Sequence, residues 1–246
     1  MDQKVLENSL EKIMPEGYSG EEEDPGWTMA IISHISVYLY PIILLAALYV
    51  SMKNLYEVNF LLITLPSFII SWIGGDIVTG LVHWFCDTYG TVNTPIIGHS
   101  LIRNFRSHHT YPKDLCISPF IYTVGHVEIV SLITLQQLIY LMTKFPHSII
   151  LSTFTFTYTV ITFLTLMTNQ FHKWAHLETE KVPGYVKILQ KNKVILDPEH
   201  HQTHHSRPFN SNYCITHGLA NPFLEKIKFF RTVEKILLRF GLKSTV

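Results

Sequence analysis

Residues 148–176 read SIILSTFTFTYTVITFLTLMTNQFHKWAH, a long apolar run that ends in two histidines four positions apart. Residues 148–171 contain no Asp, Glu, Lys or Arg, and a helix of about 20 such residues crosses the hydrocarbon core of a bilayer. The stretch therefore predicts a membrane helix that emerges at His172 and His176. Side chains at i and i+4 share one face of a helix, so both imidazoles are spaced to bind one metal ion.

Three further segments predict membrane helices. Residues 29–50 contain no Asp, Glu, Lys or Arg, and residues 58–84 contain one acid, Asp76. Residues 118–143 are interrupted by two adjacent glutamines. That third segment either spans the bilayer or lies in its interface.

The composition favours a membrane protein. Charged residues make up 15% of the chain and hydrophobic residues 47%, whereas a soluble domain has about 25% charged residues. The net charge is zero, so no overall field favours nucleic acid, and the three cysteines form no CxxC pair. We therefore expect an all-α integral membrane protein, with a polar tail over residues 1–28 and a membrane domain over residues 29–246.

The predicted spans place the histidine-rich segments on one side of the membrane. Span two ends near His83, and counting the crossings brings residues 84–117 and the chain after residue 171 to the same side. Of the 19 Lys and Arg, only Lys53 and Lys144 fall on the opposite side. The positive-inside rule makes the histidine side cytosolic, and we expect the endoplasmic reticulum membrane.

Nine histidines on that side form four groups. The candidate metal ligands are His83, His108, His109, His172, His176, His200, His201, His204 and His205. Within helices, 172/176, 200/204 and 201/205 are each spaced to bind one ion. Nine imidazoles exceed the four ligands of tetrahedral zinc, so two metal ions account better for the set. Iron, copper and zinc all suit such nitrogen ligands.

Carboxylates and amides near these groups are candidates for orienting the imidazoles by accepting the second ring N–H. They are Asp76, Asp87, Asn169, Asp197, Glu199 and Asn212. Asp76 carries the most weight because an acid inside a membrane span is costly and usually functional. His126 is either a further ligand or a hydrogen-bonded histidine of the third span. The four remaining histidines are expected to lie outside the site.

Residues 221–240, NPFLEKIKFFRTVEKILLRF, predict a C-terminal amphipathic helix. Asn221 is placed to cap its N-terminus, and Pro222 suits the first helical position. Apolar side chains recur at helical spacing between basic ones. The helix either lies on the membrane surface or packs against the protein core.

Four of these motifs resemble the Kua-type lipid desaturases: VHW at 82–84, HKWAH at 172–176, HQTHH at 201–205, and NYCITHG with NPFLEKI at 212–227. The resemblance implies an integral membrane enzyme that contains two iron ions and uses O₂. It also implies an electron donor such as cytochrome b5. By the matching motifs, the iron ligands would be His83, His108, His109, His172, His176, His201, His204 and His205. His200 would be either a ligand or a support for its neighbours.

Within that family, the C-terminal motifs favour the ether-lipid branch. The expected reaction introduces a 1'-alkenyl (vinyl ether) double bond into the 1-O-alkyl chain of an ethanolamine ether phospholipid, which yields a plasmalogen. The alternatives are a desaturase or hydroxylase of another glycerolipid such as phosphatidylglycerol, a metal transporter, and an ion-sensing membrane protein. The sequence has no GxGxxG and no haem-attachment motif, so electrons must come from a partner.

Overall fold

The computed structural model describes residues 26–58, 60–117, 119–125 and 129–245. Within these ranges the regular structure is helical and no strand occurs, which confirms the all-α class. The predicted tail over residues 1–28 lies almost wholly outside the described residues. His126 lies outside them as well.

Eleven α-helices occur in the described part of the chain. They are α1 Gly26–Val58, α2 Leu65–Thr88, α3 Arg103–Thr110, α4 Asp114–Ile117, α5 Phe120–Val124, α6 Ile129–Lys144, α7 Ile149–His176, α8 Gly184–Lys191, α9 Pro198–His204, α10 Asn221–Lys226 and α11 Phe229–Arg239. A π-helix, Phe60–Thr64, leads into α2, and a second one, Gly98–Ile102, leads into α3. A 3₁₀ turn, Thr179–Lys181, follows α7.

Three helical stretches of the described residues are long and apolar enough to cross a membrane. They are Ala30–Tyr56, Phe60–Thr88 and Ile149–His176, and they agree with the first, second and fourth predicted spans. The third predicted span is not confirmed, because the described residues there form α5 and α6. α6 has 16 residues, fewer than the 20 or so that a crossing takes. α5 ends at Val124, and an added Cβ on its C-cap residue, Gly125, would lie 2.7 Å from Cα of Ser33 in α1.

The described residues pack into two compact units. The span unit comprises residues 26–77 and 119–170, and the histidine unit comprises residues 78–117 and 171–245. The last turns of α2 and α7 belong to the histidine unit. All nine candidate histidines therefore fall within one unit.

The span unit has an apolar core in which α1 packs along α5 and α6. Its buried side chains are Tyr40, Ala47, Val124, Leu132, Leu135 and Leu166. Several buried hydroxyls bond to carbonyls of their own helix, as when Thr159 Oγ1 donates to the carbonyl of Thr155. Apolar side chains elsewhere on α1, such as Ile42 and Tyr49, stay exposed. This is the pattern of a helix that faces lipid, where every backbone polar group is bonded internally.

In the histidine unit, the chain around Cys214 lies directly on α2. A Cβ on Gly80 would lie 2.5 Å from Sγ of Cys214 and 3.1 Å from its Cα and N. One helical position earlier, Thr79 Oγ1 lies 2.9 Å from Thr216 Oγ1. Glycine at position 80 therefore allows two main-chain segments to approach closely next to His83.

The predicted C-terminal amphipathic helix is two helices, α10 and α11. The break falls at Lys228, whose φ of +53° is left-handed and cannot continue a right-handed helix. Asn221 is not the N-cap, because Ala220 occupies that position. The Asn221 side chain bonds Cys214 instead.

α11 shares its apolar side chains between the protein and the outside. Phe230 is buried, and Trp84 Nε1 donates to Glu234 Oε1 across 3.0 Å. Ile236, Leu238 and Phe240 remain exposed. The buried side chain agrees with packing against the protein core, and the exposed ones agree with a helix on the membrane surface.

Gly80→Ala tests the close approach of Cys214 to α2. We expect the free energy of unfolding to fall by about 1–3 kcal/mol, the usual cost of overpacking, even though Ala favours a helix over Gly by about 0.5–1 kcal/mol. The measurement is the thermal unfolding midpoint of the purified protein in detergent. The matched control is Gly184→Ala, where an added Cβ meets nothing within 4 Å. Equal midpoints for both variants would contradict the packing described.

Candidate metal centre

Nine side chains of the histidine unit bring their donor atoms together in two clusters. Cluster 1 consists of His108, His172, His176, His201 and His205, and cluster 2 consists of His83, Asp87, His109 and His204. Within each cluster the donor atoms all lie within 4.8 Å of one another. The clusters adjoin, since the ring centroids of His109 and His205 are 5.2 Å apart.

Helical periodicity explains two pairs of donors. His83 and Asp87, four positions apart on α2, both enter cluster 2. His172 and His176, four positions apart on α7, both enter cluster 1. In each case the i, i+4 spacing puts both side chains on one face of the helix.

Adjacent histidines, in contrast, divide between the clusters. Successive side chains on a helix point about 100° apart, so His108 enters cluster 1 and His109 enters cluster 2. α9 behaves likewise at its C-terminal end, where His204 enters cluster 2 and His205 enters cluster 1. The pairs His108/His109 and His204/His205 therefore each contribute to both clusters, whereas of His200 and His201 only His201 enters a cluster.

Cluster 1 is centred on His176. Its Nε2 lies 2.9 Å from Nε2 of His108, 3.1 Å from Nε2 of His172 and 2.9 Å from Nε2 of His201. A neutral imidazole has one N–H and one lone pair, so hydrogen bonds between rings cannot satisfy all four nitrogens at once. His205 Nε2 is also buried, with no hydrogen-bond partner among the described residues. Converging lone pairs are what a metal ion binds.

Cluster 2 is centred on the carboxylate of Asp87. Its Oδ2 lies 3.2 Å from Nε2 of His83, 3.2 Å from Nε2 of His109 and 3.7 Å from Nε2 of His204. Asp87 Oδ1 and the Nε2 atoms of His83 and His204 are buried, without a hydrogen-bond partner in the described part of the chain. Asp87 is thus one of the converging donors of cluster 2. The sequence had instead predicted that it orients an imidazole by accepting the second ring N–H.

Two backbone carbonyls orient the rings of cluster 2. Nδ1 of His83 lies 3.1 Å from the carbonyl oxygen of Tyr213, and Nδ1 of His204 lies 2.8 Å from that of Ser211. A carbonyl only accepts, so each Nδ1 carries the proton and each Nε2 lone pair points into the cluster. Sequence reasoning missed these groups because every residue has a carbonyl; the only signal was the distinctive YCIT segment.

Most of the side chains expected to orient imidazoles have other roles. Asp197 caps α9 and accepts hydrogen bonds from the backbone N–H groups of Glu199 and His200. Asn169 Nδ2 donates to the carbonyl of Thr123.

The remaining three such candidates, Asn212, Asp76 and Glu199, also lie outside the clusters. The backbone N–H of Asn212 donates to Glu225 Oε1, and Asn212 has a φ of +57°. Asp76 is fully buried and belongs to neither cluster.

His200 belongs to neither cluster. Its Nε2 accepts a hydrogen bond of 2.8 Å from Asn221 Nδ2. Of the two roles that the sequence leaves open for His200, this geometry favours the supporting one.

Arg106, which the sequence did not single out, ties α3 to the end of α2. It is buried, and its guanidinium donates to the carbonyls of Cys86 and Tyr89 at 2.9 and 3.1 Å and to Thr245 Oγ1 at 2.8 Å. These bonds satisfy carbonyls at the C-terminal end of α2. They also fix the helix that carries His108 and His109 relative to cluster 2. A single Arg in a polar loop gives no sequence signal for such a role.

Four cluster imidazoles outside the membrane helices are held neutral by their surroundings. Burial and then neighbouring imidazoles push the pKa values of His108 and His201 well below 6.5. The same causes lower the pKa of His205 to about 2, and burial lowers that of His204 to about 4. Neutral rings keep the lone pairs that metal binding requires. The donors fit two metal ions, and their nitrogen-rich character suits iron, copper or zinc.

The chain resembles known lipid desaturases. The lipid desaturase domain family matches residues 72–244. Plasmanylethanolamine desaturase of Myxococcus xanthus is 35% identical over 70% of this chain and 60% of its own length. Plasmanylethanolamine desaturase 1 of Mus musculus is 38% identical over 66% of this chain and 60% of its own length. Fatty acid desaturase 4-like 1, chloroplastic, of Arabidopsis thaliana is 32% identical over 70% of this chain and 56% of its own length.

The matched part of the chain spans no more than 60% of the length of these three relatives. No solved structure matches the chain.

Metal content tests the clusters directly. We expect the purified protein to retain about two metal ions per chain, one for each cluster, and His176→Ala to retain about one, because His176 lies at the centre of cluster 1. The measurement is elemental analysis by inductively coupled plasma mass spectrometry. The matched control is His147→Ala, an exposed histidine outside the clusters, which should retain the full content. A His176→Ala protein with unchanged metal content would rule out cluster 1 as a binding site.

Acidification should destabilise the metal-free protein. An unfolded histidine binds a proton near pH 6.5, whereas His204 in the folded protein does so only near pH 4. The unfolded state therefore holds more protons between these values, and each such imidazole costs about 1.4 kcal/mol of folding free energy per pH unit there. Above about pH 6.5 the effect is absent. Thermal unfolding midpoints of metal-free protein between pH 8 and 4 check this expectation; a flat profile below pH 6.5 would contradict it.

Proposed function

Because the chain belongs to the lipid desaturase family, which matches its residues 72–244, we propose that it is a membrane enzyme that introduces a double bond into a lipid chain. The observation that carries the proposal is the pair of adjoining donor clusters in a chain with three membrane-length helices. The proposed substrate is an ethanolamine ether phospholipid, and the new bond is the 1'-alkenyl double bond of its 1-O-alkyl chain. Similarity to two plasmanylethanolamine desaturases supports this substrate.

Two iron ions are the proposed metals, held by cluster 1 and cluster 2. Bound iron would supply the activation of O₂ that is needed to break an unactivated C–H bond, a task for which no side chain is a strong enough oxidant. The protein holds the ligands in place, keeps the imidazoles of His108, His201, His204 and His205 neutral and excludes bulk water by burial. The carbonyls of Tyr213 and Ser211 keep the Nδ1 protons of His83 and His204 away from the metal side.

The proposed reaction needs an external electron donor, because the lipid supplies only two of the four electrons that reduce O₂ to water. Two hydrogens leave the alkyl chain with two electrons, and a donor provides two more electrons with two protons from solvent, so that O₂ is reduced to two water molecules. The sequence given contains no nucleotide-binding GxGxxG and no haem-attachment motif, which favours a separate protein as the donor. We propose a cytochrome b5-type partner.

The site also supports four membrane crossings. The ring centroids of His83, near the end of α2, and His172, near the end of α7, are 6.4 Å apart, so both helices end at the same place. If both span the bilayer in the same direction, the chain between Thr88 and Ile149 must cross back once. α5 and α6 are the described helices of that segment that can provide the crossing. We propose that the histidine side is cytosolic and that the membrane is the endoplasmic reticulum, in line with the lysine and arginine distribution.

A second candidate, desaturation of an acyl chain in another glycerolipid, is favoured by the 32% identity to the chloroplastic Arabidopsis protein. A hydroxylase would use the same centre but insert oxygen. A transporter is disfavoured, since a transport path places its polar ligands near the bilayer midplane. Here the span-borne donors lie in the last turns of α2 and α7.

Expression in cells that make ether lipids but lack plasmalogens tests the proposal. We expect wild-type protein to generate an acid-labile vinyl ether, two hydrogens lighter than the substrate by lipid mass spectrometry. His176→Ala should generate none, and His147→Ala should match the wild type. Loss of two hydrogens from an acyl chain would identify the second candidate, and gain of one oxygen would identify a hydroxylase. Unchanged lipids with active wild-type protein present would refute the desaturase proposal.

A further inference from the structure

The side chain of Asn221 is fully buried, and all its polar groups are bonded. Its Oδ1 accepts from the backbone N–H of Cys214 at 2.9 Å, and its Nδ2 donates to the carbonyl of Cys214 at 2.9 Å. The second Nδ2 hydrogen points to Nε2 of His200 at 2.8 Å. One acceptor and two donors are the roles that a carboxamide offers. Reversing the amide would oppose donor to donor and acceptor to acceptor, so its orientation is fixed.

The bonds to Cys214 fix the main chain that orients cluster 2. Cys214 directly follows Tyr213, whose carbonyl holds Nδ1 of His83, and Ser211 of the same segment holds Nδ1 of His204. On its other side Cys214 is pressed against α2 at Gly80. Asn221 therefore holds the segment in register against the helix that carries His83.

The bond to His200 fixes α9, which together with its C-cap residue His205 carries three of the cluster histidines. His200 packs on Gly218, where an added Cβ would lie 2.6 Å from its Cδ2 and where φ is +75°. Asp197 caps the same end of the helix. The first turn of α9 is thus anchored by groups that belong to neither cluster, and the C-terminal end of the helix presents His204 and His205 to the clusters.

We propose that Asn221 is a positioning residue for the metal centre. It acts on cluster 2 through the carbonyls of Tyr213 and Ser211, and on both clusters through His200, which is its hydrogen-bond partner and not a metal ligand. The inference rests on the proposed metal centre and does not depend on which lipid is the substrate.

Cobalt binding distinguishes positioning from simple packing. The full-length protein in detergent is stripped of metal with a chelator and titrated with Co²⁺ as the probe. Three quantities are measured: the number of Co²⁺ bound at saturation, the apparent Kd in competition with a chelator, and the visible absorption spectrum at saturation. The spectrum reports ligand geometry, which a loss of packing elsewhere would leave unchanged.

Asn221→Ala should still bind two Co²⁺ per chain, with a Kd about 10–100-fold higher, the usual effect of removing a group that orients metal ligands. Its saturated spectrum should differ from that of the wild type. His200→Ala should also bind two Co²⁺, more weakly than the wild type. His200→Gln should restore wild-type binding, because its amide oxygen can accept from Asn221 Nδ2. Asn192→Ala, an exposed asparagine of the same unit that donates to the Ile188 carbonyl, should match the wild type.

Two results would overturn the inference. One is a wild-type Kd and spectrum for Asn221→Ala. The other is the loss of one Co²⁺ site in both His200→Ala and His200→Gln, which would make His200 a ligand. If Asn221→Ala does not fold, the two His200 variants decide, because they leave both bonds to Cys214 in place. Wild-type protein that binds no Co²⁺ would overturn the metal centre and this inference together, whereas normal wild-type binding with an unaffected Asn221→Ala would overturn the inference alone.

Discussion

Eight imidazoles and one carboxylate are packed so that their donor atoms face one another, in place of solvent. Leaving a buried polar atom without a partner costs about 1–3 kcal/mol, and several cluster nitrogens have no hydrogen-bond partner among the described residues. A protein tolerates so many unsatisfied buried atoms in one place where a bound metal ion offsets the loss of folding free energy. Four elements contribute side chains to these clusters: the ends of α2 and α7 and the short helices α3 and α9.

The scaffold around the clusters works mainly through the main chain. Carbonyls of Tyr213 and Ser211 set the tautomers of His83 and His204, and Arg106 holds α3 by bonding the last carbonyls of α2. Asp197 caps α9 and Asn221 fixes the segment around Cys214. The cluster side chains are therefore placed by segments that are themselves held by hydrogen bonds, and such preorganisation would keep a bound metal ion from changing its coordination geometry.

Sequence periodicity was informative wherever the relevant contacts are local. Apolar runs identified three helices of membrane length, and i, i+4 spacing identified the pairs His172/His176 and His201/His205, each of which enters one cluster. The third predicted span is not confirmed, because its described residues form the two short helices α5 and α6 and neither has the length of a crossing. The prediction of a single C-terminal helix was wrong because the apolar spacing continues through Lys228, although the left-handed backbone of that residue ends one helix before the next begins.

By itself, the sequence determined the all-helical class, the membrane character, the family and the set of histidines from which the site is built. These follow from residue type and short spacings, which act within one helix. Only the tertiary structure decided that Asp87 lies among the donors, that His200 turns away to Asn221, and that neighbouring histidines separate into two clusters. Those outcomes depend on contacts between different segments of the chain, from 21 residues apart for His200 and Asn221 to 130 residues apart for His83 and Tyr213. They also depend on backbone carbonyls, which every residue possesses and which therefore leave no mark in the sequence.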